Sequence, residues 1–101
     1  MSFNIIAETS SRLDFQKIYH AVYKDELPFD FVPMPDLGPE GGDALGICIP
    51  LENASEATWN ELLPVLNILR TKFRCAVYDL YGGQKLGFFN SKTFKKTLLL
   101  K

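Results

Sequence analysis

The sequence predicts one α+β domain in which two amphipathic helices alternate with short strands in the order β-α-β-β-α-β, followed by one more strand and a short helix. Apolar residues recur at helical spacing in two places, around Phe15 and around Trp59. Short runs rich in β-branched and aromatic residues lie before, between and after them. Clusters of Pro, Gly, Asn and Ser separate the runs. At 101 residues, 47% hydrophobic and 23% charged, the chain has room for one core and is expected to fold as a single α/β domain over 1–101. Eight Phe, four Tyr and one Trp supply large side chains to fill that core.

Phe3 to Glu8 reads as the first strand, short and mostly apolar. Thr9, Ser10 and Ser11 are N-cap candidates for the helix that follows, with Ser11 and Asp14 as a weak capping box. Phe15, Ile18, Tyr19 and Val22 form its apolar stripe, and Pro28 requires it to end near Lys24 or Asp25. Phe29 to Val32 is a second short strand, cut off by Pro33 and Pro35. Residues 35–43 are rich in turn formers and are expected to be an exposed loop.

Ala44 to Pro50 resumes as a strand with Leu45, Ile47 and Ile49 on one face. Asn53 and Glu56 are expected to cap the second helix, whose stripe is Trp59, Leu62, Leu63, Leu66 and Phe73. Pro64 falls inside that helix, removes a backbone donor and crowds the carbonyl of Asn60, so a kink or break is expected. Arg74 to Tyr81 is the strongest strand pattern, and Gly82-Gly83 suits a two-residue hairpin loop returning through Lys85 to Phe89. Asn90 or Ser91 would cap a last helix with Phe94 and Leu98 inward and Lys92, Lys95 and Lys96 outward. The order is the ferredoxin-like one, two βαβ halves about a central hairpin, with an added C-terminal hairpin strand and short helix. It implies a mixed or antiparallel sheet with both main helices on one face.

Charge is divided along the chain. Residues 1–63 hold eleven acids against Arg12, Lys17 and Lys24, whereas residues 64–101 hold eight bases against Asp79 alone. Such asymmetry gives an oriented electrostatic surface unless folding interleaves the two halves.

The sequence holds no recognisable catalytic constellation. His20 is the only imidazole and has no nucleophile pattern near it, so no catalytic residue is assigned and the chain is not expected to be an enzyme. Cys48 and Cys75 are far apart in sequence, without a CxxC or a second His, so no metal site and no cofactor is expected. Both lie in apolar strand runs and read as free thiols. Gly38 to Gly42 lacks the spacing of a phosphate-binding loop. The two central strands, Phe3–Glu8 and Ala44–Pro50, offer no Arg or Lys and only Phe3 as an aromatic, so nucleic acid is not the expected partner. No apolar run approaches the roughly 20 residues a membrane helix needs, and the start lacks the pattern of a secretory signal; a cytoplasmic location is expected.

What remains is an acidic tract with apolar residues interleaved. Asp25, Glu26, Asp30, Asp36, Glu40 and Asp43 supply the charge, and Phe31 and Leu37 are candidate anchors. Apolar anchors ringed by carboxylates suit a basic protein surface, because burial supplies affinity and charge supplies steering. These eight residues are the expected partner-binding set.

With this tract, and with the Val77-Tyr78-Asp79-Leu80-Tyr81-Gly82-Gly83 hairpin followed by a short helix, the chain resembles the small cytoplasmic immunity proteins of bacterial contact-dependent growth inhibition and polymorphic toxin systems. The resemblance implies a non-catalytic toxin inhibitor whose partner is a cognate toxin domain with a basic surface, often a nuclease. A different class, a small-molecule-binding regulatory domain that dimerises through its sheet edge, fits the same element order.

Overall fold

The computed structural model describes residues 2–22, 26–80 and 84–86, the last three as strand backbone. Its elements are β1 (Ser2–Glu8), α1 (Phe15–Val22), β2 (Asp30–Met34), β3 (Ala44–Pro50), α2 (Glu56–Thr71), β4 (Ala76–Asp79) and β5 (Gln84–Leu86). Single 3-10 turns occupy Pro39–Gly41 and Leu51–Asn53. The strands form one sheet in the order β2-β3-β1-β4-β5, and every pairing is antiparallel.

The alternation of side chains along each strand separates two faces. On one, Phe3, Ile5 and Ala7 of β1 lie beside Leu45, Ile47 and Ile49 of β3 and Val77 of β4, and all are buried. This face packs against α1 and α2 and holds the core. The opposite face carries Asn4, Ile6, Gly46, Cys48 and Val32, none of them fully buried. Among the described residues, no helix covers it.

Local chemistry explains the helices, with corrections to the sequence reading. Helix α1 begins after Asp14, whose Oδ1 accepts the Lys17 N–H at 3.1 Å, so Asp14 does the capping expected of Ser11. Helix α2 is capped by Ser55, not Asn53: the Ser55 hydroxyl accepts the Thr58 N–H at 3.3 Å. Asn53 sits in the preceding turn, where its side chain donates to the Pro28 carbonyl at 3.1 Å and its carbonyl accepts the Thr58 hydroxyl.

Pro64 does not break α2, which runs unbroken from Glu56 to Thr71. Both Pro64 and Asn60 are exposed, so water can satisfy the Asn60 carbonyl that lacks its helical donor. The buried stripe is Trp59, Leu62, Val65, Leu66 and Leu69, whereas Leu63 is half-buried at its margin. The helix ends through Arg74 at φ 55°, and the Cys75 N–H returns to the Leu69 carbonyl at 2.9 Å.

Strand β2 reaches Met34 through Pro33, two residues beyond the expected stop. The last hairpin pairs Asp79 with Gln84, so its connection is longer than the two expected glycines. Gly82, Gly83 and the expected helix after Asn90 lie outside the described residues.

Leu66→Ala should destabilise the fold by about 2–5 kcal/mol, as buried leucine truncations do, and Leu63→Ala by clearly less. Denaturant unfolding of the two variants checks the order. Equal losses would mean that the margin of the helix face is misplaced.

Candidate functional site

The acidic segment 35–43 is folded tightly onto the connection between β1 and α1. A turn brings the Leu37 N–H to the Met34 carbonyl at 3.3 Å, with Asp36 at φ 64° in the left-handed region. Asp tolerates that region better than most residues. The Gly38 N–H then donates to the Gly42 carbonyl at 3.0 Å, and the Gly42 N–H to the Pro39 carbonyl at 2.9 Å. A Cβ at Gly42 would lie 2.0 Å from the Thr9 carbonyl oxygen and 2.5 Å from the Ser10 carbonyl carbon, so backbone meets backbone there and only glycine fits. The Thr9 N–H donates to the Asp43 carbonyl at 3.1 Å, and the Asp43 N–H to the Ser11 carbonyl at 3.0 Å.

Asp43 closes the assembly. It is 3% exposed. Its Oδ2 accepts the Leu13 N–H at 2.8 Å, and its Oδ1 accepts the Asp36 N–H at 2.9 Å and the Arg12 guanidinium at 2.9 Å. Arg12 also pairs with the Asp36 carboxylate. The backbone N–H groups of Asp36 and Leu13, aided by Arg12, hold the Asp43 carboxyl below the usual carboxylate range.

The expected partner-binding residues therefore separate into groups. Asp43 faces inward and holds the loop together, so it is not part of an exposed acidic surface. Asp36 is exposed but shares Arg12 with Asp43. Glu26, Asp30 and Glu40 are exposed, and Asp25 lies outside the described residues. Of the two candidate anchors, Leu37 is 62% exposed. Phe31 is half-buried, with ring centroids 5.9 Å from Tyr19 and 5.7 Å from Phe29, the latter edge-on.

The sequence reading missed two further exposed apolar residues, Val32 at 49% and Leu80 at 58%. Both border the open sheet face, where Ile6, Val32, Met34, Gly46, Cys48 and Leu80 line a groove of about 200 Å³. The signal was present: Asp30, Val32 and Met34 alternate onto one face once β2 is allowed to pass Pro33. Beside the groove is a shallow polar hollow of about 410 Å³ bordered by Glu8, Glu40, Arg74 and Tyr78.

His20 is exposed on α1, and among the described residues no group of three or more His, Cys, Asp or Glu is placed to hold a metal ion. Both cysteines are free: Cys48 is half-buried in the groove, and burial pushes the Cys75 thiol up to about 11.

Because the folded pKa of Asp43 lies below its unfolded value, its contribution to stability is present in full above the unfolded value of about 3.9. It is lost as the pH falls through the lowered folded value. Wild type should therefore lose stability on acidification below about pH 4 more steeply than Asp43→Asn, which should be less stable than wild type at pH 7. Unfolding midpoints measured from pH 7 to pH 2 check this, and parallel pH profiles would remove Asp43 from the role. Gly42→Ala should destabilise well beyond the ~0.5 kcal/mol of an ordinary surface change, with thermal unfolding as the measurement.

Comparison with known protein families, curated proteins and solved structures finds no match for this chain.

Proposed function

We propose that the chain is a non-catalytic protein-binding domain of ferredoxin-like build, an immunity protein that neutralises a cognate bacterial toxin, such as a nuclease, in the cytoplasm by covering a basic surface with an acidic one. The ferredoxin-like assignment is supported by β1 lying between β3 and β4, with β2 beyond β3 and β5 added beyond β4.

The observation that carries the functional reading is how charge is distributed over the sheet. Strands β1, β2 and β3 come from the acidic part of the chain and are contiguous, and β4 and β5 come from the basic part and are contiguous. In the sheet the two parts of the sequence meet along the β1–β4 pairing, beside the hollow that Glu8, Glu40 and Arg74 share. Asp30 and Asp36 belong to the β2 side, where Leu37 projects as an apolar anchor, whereas Glu40 borders the hollow it shares with Arg74. Lys72 and Arg74 precede β4 in the chain. A molecule polarised in this way attracts a basic partner to one margin and turns away the wrong orientation.

The neighbouring reading frame in the host should encode a toxin domain, and co-expression of the two should restore growth and yield a one-to-one complex by light scattering. Asp30→Asn combined with Glu40→Gln should slow association several-fold and flatten its salt dependence without lowering the Tm, because exposed carboxylates act mainly on the association rate. Failure of both rescue and complex formation would overturn the immunity reading. A double variant that associates at the wild-type rate at low ionic strength would overturn the acidic-surface part.

A further inference from the structure

We infer that the open face of the sheet, over Gly46, is the docking surface for an element of a partner protein that carries a bulky apolar side chain flanked by basic residues. This rests on the reading that the chain binds a protein, and it moves the centre of the interface from the 35–43 loop to the sheet.

The register sets the surface. Three cross-strand rows face away from the helices: Asp30, Cys48 and Asn4; Val32, Gly46, Ile6 and Tyr78; Met34, Ala44, Glu8 and Ala76. Leu80 extends the first row, its N–H donating to the Asn4 carbonyl at 3.0 Å. The middle of this grid is apolar; Asp30 stands at the β2 corner, and Glu8, half-buried on β1, borders the grid between the buried Ala44 and the half-buried Ala76.

Gly46 is the informative residue. Its φ is not in the left-handed region, so its backbone does not require glycine. A Cβ there would meet nothing nearer than Met34 Sδ and Val32 Cβ at 3.5 Å, an ordinary contact, so packing does not require glycine either. Glycine inside a strand weakens it and often marks a place where another group approaches the backbone closely. Here it forms the floor of the groove between Val32 and Ile6. At about 200 Å³ the groove is below the roughly 300–1,000 Å³ of a small-molecule site and has the size of a pocket for one anchoring side chain.

Charge selects the kind of partner. Asp30 and Glu8 have no ion-pair partner among the described residues. Arg74 borders the neighbouring hollow with Glu8 and Glu40, so the β4 margin disfavours a second cation and fixes the partner's orientation. A basic apolar element with its cations toward β2 satisfies both constraints.

Cys48 in the groove reports occupancy directly, because Cys75 is buried and stays silent. The experiment measures the rate of Cys48 modification by a thiol reagent on the full chain, alone and with a synthetic Leu/Lys-rich amphipathic peptide or its Leu/Glu counterpart. The basic peptide should slow modification at least fivefold, saturably and less at high salt, while the acidic peptide leaves the rate unchanged. Gly46→Leu should abolish protection, as should Val32→Asp, an exposed change that leaves the Tm near wild type. Equal protection by both peptides, or undiminished protection in the variants, overturns the proposal. So does a Cys48 already protected in the free chain, whether residues 87–101 or, at dimer mass, a second copy covers the face. If the neighbouring toxin binds Gly46→Leu and Val32→Asp normally, the surface is wrong and the function stands. If no toxin binds but the basic peptide docks as expected, the surface stands and the function fails.

Discussion

A single buried carboxylate organises one end of this molecule. Asp43 accepts two backbone N–H groups that lie far apart in sequence, those of Leu13 and Asp36, and holds the Arg12 guanidinium as a third donor. A carboxylate withdrawn from water needs such partners to stay charged, so the loop is built around it. The consequence spreads from there. The start of α1, the end of β2 and the start of β3 are fixed relative to one another through one side chain. Gly42 allows the two backbones to meet, and Arg12 removes part of the negative charge that the segment would otherwise show to solvent.

That arrangement explains why the acidic tract looked like a surface in the sequence and is partly something else in the fold. Composition assigns Asp36, Glu40 and Asp43 the same character. Only the tertiary contact with residues 9–13 distinguishes the carboxylate that holds the chain together from the one that faces water. Loop length carried a related ambiguity. A connection longer than two strands require can serve a partner or the fold, and this one docks on its own domain through hydrogen bonds to Thr9, Ser11 and Leu13 and through Arg12, which pairs with both Asp36 and Asp43.

Periodicity read most of the fold correctly because the elements have one buried face each. The stripe of α1, the inward positions of β1 and β3, and the order of the first six elements follow from spacing alone. The caps did not, because Ser, Thr, Asn and Asp cluster before both helices and any of several could have been the cap. Pro64 misled for a different reason: its cost depends on whether the orphaned carbonyl reaches water, which is a property of the helix's orientation and not of the proline. The open face was hidden by the reading of β2, which stopped at Pro33 because proline usually ends a strand. An outer strand tolerates proline when the missing N–H would have pointed away from the sheet, and β2 is outermost.

The same proline has a consequence for how the molecule behaves in a crowded solution. An outer strand presents alternate N–H groups to solvent, ready to template a further strand from another chain. In β2 the residues that do not donate toward β3 are Phe31 and Pro33, and Pro33 has no N–H to offer. The outer edge of β2 is thus left with one outward donor inside the strand. Proline in an outer strand disfavours strand addition at that margin, beside the exposed Val32.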